Sequence, residues 1–87
     1  MTEVDPIKRA AGRALAVGTN ANGSMRVTIE LLAAMQGELL TIAVGGETNP
    51  IIMDAISAVQ EIKTALEVGV ASLTIHSTRI IAYRDAL

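Results

Sequence analysis

The 87 residues contain no cysteine and a single histidine, His76, so the chain can supply neither a disulfide nor a four-ligand zinc site. A domain this short buries only about 60–65 % of the surface its unfolded chain exposes, and its core is marginal without reinforcement. With covalent and metal staples excluded, self-association is the reinforcement that remains. The composition points the same way: 51 % of residues are apolar, 18 % are charged, and apolar surface on that scale tends to be covered by something.

Net charge −2 and one aromatic residue, Tyr83, argue against nucleic acid as a partner, because neither a basic face for phosphates nor a stacking platform for bases is present. No apolar stretch approaches the roughly 18 residues of a membrane span, and Met1-Thr2-Glu3-Val4-Asp5 is acidic where a signal peptide is basic. The expectation is a cytoplasmic chain with no membrane contact, folded as a single domain over residues 1–87. Charge is unevenly spread. Residues 1–26 hold Lys8, Arg9, Arg13 and Arg26 against Glu3 and Asp5, whereas residues 27–67 hold only Lys63 against Glu30, Glu38, Glu47, Asp54, Glu61 and Glu67. Such asymmetry can guide head-to-tail or antiparallel self-docking, although ordinary solvated faces produce it too.

Pro6 to Ala14 reads as a helical turn or two, with Pro6 suited to a first turn. From there alternation takes over. Leu15, Val17 and Thr19 alternate with smaller residues up to Asn20-Ala21-Asn22-Gly23-Ser24, and Asn-Gly between two such runs is a strong hairpin signal. Met25, Val27, Ile29 and Leu31 make the next strand, which reaches Met35 and turns at Gln36-Gly37; Glu38 to Val44 is the third, ending at Gly45-Gly46. Asn49 then caps a helix whose first turn holds Pro50 and whose apolar stripe runs Ile52, Ala55, Ile56, Val59, Ile62 and Leu66, with Gly69 as C-cap. Val70 to Ser77 reads as a fourth strand and Arg79 to Leu87 as a short terminal helix. The expected fold is α+β: an antiparallel three-stranded meander, one long helix over Pro50–Val68, a fourth strand and a terminal helix.

This order, and above all Ala65-Leu66-Glu67-Val68-Gly69-Val70-Ala71-Ser72-Leu73-Thr74-Ile75-His76-Ser77-Thr78, resembles the central helix and fourth strand of ribonuclease H domains. The likeness covers about 40 residues well and the meander by topology only. It implies a site for two magnesium ions held by carboxylates, and most of these are missing. Asp54 falls on the helix carboxylate, Thr78 on the fourth-strand aspartate, and Gly18, Thr19 and Asn20 stand at the end of the first strand. Asp54 alone cannot hold a metal pair, so the resemblance implies a shortened, catalytically silent relative without cofactor.

Other candidates carry structural readings beside the functional ones. His76 is a possible acid or base, but no neighbouring carboxylate orients it. Ser77 beside it would face the opposite side of a strand, and with Asp54 makes a triad only on paper. The glycines of Gly18–Gly23 and Gly45-Gly46 suit turns as well as an anion cradle. Met25, Met35 and Met53 suit core filling as well as an adaptable surface, and Lys8, Arg9 and Arg13 suit solubility as well as an acidic partner.

The function expected is a non-enzymatic binding or assembly module that self-associates or docks on a larger protein. Its interface is expected on the uncovered flank bearing Leu32, Leu40, Ile80 and Ile81. Two alternatives stand beside it: a magnesium-dependent ribonuclease H-type nuclease using Asp54 with Glu47 or Asp85, and a small viral or mobile-element inhibitor.

Overall fold

The computed structural model describes residues 4–44 and 49–87. Two helices account for nearly all of them: α1, Val4–Val44, of 41 residues, and α2, Pro50–Ala86, of 37. They lie side by side along their length as a hairpin with extents of 69 × 14 × 14 Å. Its radius of gyration is 19.6 Å, against about 12 Å for a compact domain of this length.

No strand occurs among the described residues, which overturns the α+β expectation and with it the ribonuclease H-like core. The three-stranded meander is α1. The supposed turns at Asn22-Gly23 and Gln36-Gly37 lie inside that helix, and Gly69 lies inside α2, so the helix, its expected cap and the fourth strand are one continuous rod. Gly45-Gly46 and Glu47 fall outside the described residues. Two readings hold. Pro6 sits in the first turn of α1, where a missing N–H costs nothing. At the start of α2, the Asn49 side-chain oxygen accepts the Ile51 N–H at 2.8 Å, with Pro50 following.

The physical reason for the error is visible in the threonines. Thr19, Thr28, Thr41, Thr74 and Thr78 each donate their hydroxyl to the carbonyl four residues earlier, at 2.9–3.1 Å. Residues that favour strands are thereby satisfied inside a helix. Glycine inside a helix costs only about 1 kcal/mol relative to alanine, too little to end so long an element. Gly23 and Gly37 have nothing within 4 Å of an added Cβ. Replacing both by alanine is therefore expected to raise the Tm, by roughly 5 °C or more; a fall in the Tm on thermal circular dichroism would show that something approaches those positions closely.

The packing between the helices follows a heptad. Along α1 the half-buried residues step by threes and fours through Leu15, Gly18, Asn22, Met25, Ile29 and Leu32; along α2 they do so through Ile56, Val59, Lys63, Leu66, Val70 and Leu73. That spacing keeps one stripe of each helix against the other, as in an antiparallel coiled coil. Contacts fix the register. An added Cβ on Gly18 would meet Leu73 and Ser77, one on Gly69 would meet Met25, and Asn22 and Gln36 bond across to Thr74 and Gln60. Steps forward on α1 are matched by steps back on α2.

The seam is thin. Among the described residues only Val59, 5 % exposed, is buried. Polar side chains interrupt the stripe: the Asn22 amide donates to Thr74 Oγ1 at 3.3 Å while its own oxygen is buried without a partner, and Gln36 donates to Gln60 at 2.8 Å. Such groups specify register at a cost in stability.

Candidate assembly surface

Two long sides flank the seam. Thr19, Gly23 and Arg26, each one residue after a seam position on α1, share a shallow groove of about 400 Å³ with Thr74, Thr78 and Ile81, each one residue after a seam position on α2. Arg26 also joins Glu30 and Glu67 at an adjoining depression. The residues following seam positions thus share one side of the hairpin, and it is polar. By the same geometry, the residues preceding seam positions share the other side.

That second side is apolar over most of its length. On α1 it carries Ile7, Ala10, Ala14, Val17, Ala21, Ser24, Thr28, Leu31, Met35 and Ile42. On α2 it carries Ile51, Ala55, Ala58, Ile62, Ala65, Gly69, Ser72 and Tyr83. Among the described residues, eight of the fifteen exposed large apolar side chains lie here, against three on the polar side, so the apolar surface is gathered rather than scattered. Among the described residues, Asp, Glu, His, Lys and Arg enter this side only as Glu38 near the turn and as His76 and Arg79 toward the chain ends.

The sequence-derived interface residues divide. Leu32 and Ile80 are half-buried in the seam between α1 and α2, and Leu40 and Ile81 are exposed on the polar side. The register separates these last two by about 40 Å along the rod. The alternation and stripe readings place Val17, Leu31, Met35 and Ile62 in expected strands or the helix stripe and pass over Ile51 and Tyr83; a heptad reading of the whole chain finds all six one residue ahead of a seam position.

The chemical candidates do not converge. Asp54 is exposed near the start of α2, and Asp85 stands about 45 Å away at the other end of the same helix. Among the described residues no group of three or more His, Asp or Glu is placed to hold a metal ion. The ribonuclease H correspondence of Asp54 falls with the fold that carried it. His76 is exposed, whereas Ser77 faces the seam close to Gly18. Residues 18–23 form helix and not a loop, so they present no glycine cradle. Of the three methionines, Met25 is half-buried in the seam, while Met35 and Met53 are exposed.

Among the described residues no helix is long and apolar enough to cross a membrane. Comparison with known proteins finds no matching family model, no matching curated protein and no matching solved structure.

Proposed function

We propose that this chain is a structural assembly module, a helical hairpin that completes its core by associating with a second copy of itself. The observation that carries this reading is surface area. The hairpin exposes 6112 Å², whereas a compact protein of its mass exposes about 4,900 Å². The excess, about 1,200 Å² per chain, corresponds to a dimer burying about 2,400 Å² in all, within the range of obligate homodimers. The apolar side supplies a continuous surface for that burial, and a four-helix bundle is the usual result of closing two such hairpins on each other.

Sedimentation equilibrium or native mass spectrometry at micromolar concentration tests the reading. The expected species has about twice the 9.1 kDa chain mass. Because unfolding then separates two chains, a hundredfold rise in concentration is expected to raise the Tm by about 7 °C. A folded 9.1 kDa monomer whose Tm ignores concentration refutes self-association. The face would then belong to a different protein.

A further inference from the structure

Resting on that reading, we infer that the second copy lies against the apolar side turned end over end, with its helical turn beside the first copy's chain ends, α1 along α1 and α2 along α2. The occupant and its orientation both follow from charge and register. The end of the rod that holds the chain termini carries Lys8, Arg9, Arg13, Arg79 and Arg84 against Asp5 and Asp85. The turn end carries Glu30, Glu38, Asp54, Glu61 and Glu67 against Arg26 and Lys63. Each hairpin is therefore positive at one end and negative at the other, and only the reversed arrangement sets unlike ends together.

Individual residues agree with this. A two-fold axis across the middle of the rod passes near Arg26 on α1 and Val70 on α2, which line one depression between the helices. Glu38 lies about twelve residues to one side of Arg26 and Arg13 about thirteen to the other, so each Glu38 comes level with Arg13 of the second copy. Arg79 and Glu61 each lie about nine residues from Val70, on opposite sides, so Arg79 comes level with Glu61 of the second copy. Glu38 and Arg79 lie on the apolar side itself, each one residue before a seam position, and Arg13 and Glu61 lie one step further out, on the outer shoulders of α1 and α2. Unlike charges thus meet along both edges of the apolar side, and the two hairpins overlap over nearly their full length.

The alternative with both turns at one end lays α1 over α2. It puts Glu38 beside Asp54 and Glu61 of the second copy and Arg79 beside Arg13. Like charges then face each other on both edges, which disfavours it.

The absence of native cysteine makes the test direct. A spin label on Ala86→Cys of the full chain reports the distance between the two copies by pulsed electron paramagnetic resonance: about 50 Å is expected for the reversed arrangement, under about 25 Å for the other. In parallel, Glu38→Arg is expected to weaken the dimer by roughly fivefold, and adding Arg13→Glu to restore it. A short distance in an intact dimer, or a double variant weaker than the single one, overturns the arrangement while leaving self-association standing. A mass that keeps growing with concentration overturns it in favour of end-to-end chains. A monomer overturns both the arrangement and the assembly reading beneath it.

Discussion

Glutamate at both Leu31 and Ile62 is expected to convert the assembled protein into single chains that are largely unfolded at micromolar concentration. In an isolated hairpin these side chains are 66 % and 52 % exposed, and surface substitutions of that kind change stability by no more than about 0.5 kcal/mol. Between two copies the double variant brings four carboxylates into an apolar interface, where the one cation level with them, Arg79 of the second copy, stands beside position 62 and already faces Glu61. A loss of more than about 3 kcal/mol, over a hundredfold in the dimer constant, follows from their desolvation. Ile81→Glu is the control. Ile81 is also exposed, at 41 %, but lies on the polar side of the hairpin, and the dimer is expected to survive it. Sedimentation of the two variants side by side decides the matter: equal masses would mean that the apolar side is bare in solution.

Val59→Asp acts on the other packing layer and is expected to abolish the cooperative thermal transition in circular dichroism. The residue is the one buried side chain among those described. Its neighbours along the seam, Ile56 and Lys63, leave the new carboxylate against apolar packing on one side and a single ammonium on the other. Burial of a carboxylate against apolar packing costs several kcal/mol, comparable with the whole stability of a small domain, and the one ammonium of Lys63, four residues on, offsets only a fraction of it. The milder Val59→Ala removes two methyl groups and is expected to cost about 2 kcal/mol, enough to lower the Tm and not enough to prevent folding. If Val59→Asp melts as the parent does, the seam is not where this hairpin derives its stability.

The two layers also explain why the sequence was partly legible. The start of α2 was readable because its signal is local: Asn49 and Pro50 act within one turn, and Ile52, Ile56 and Val59 follow at helical spacing. Alpha1 was not, because its apolar residues serve two faces at once. Met25, Ile29 and Leu32 face α2, while Leu31 and Met35 belong to the outer apolar side. Two helical stripes set about 100° apart, sampled over seven residues, reproduce the alternation of a strand. The threonines and the helical glycines strengthened that impression. The stretch from Ala65 to Thr78 misled in the same way, since Gly69 lies inside a helix that does not end there. At the site, composition foretold an uncovered apolar face, and the charge asymmetry between the first 26 residues and the next 41 was visible as written. Its meaning changed once the chain folded back on itself. A gradient along the sequence became a gradient along a rod, with Arg79 and Arg84 joining the basic end.

One buried valine has a consequence for the protein in the cell. If two copies pair as proposed, a hairpin with so little interior of its own would hold its shape only while paired, and folding and pairing would be one event governed by concentration. Below the threshold set by the dimer constant the chain would be an extended substrate for proteases; above it, a protected rod. The folded fraction would then record how much of the protein has been made.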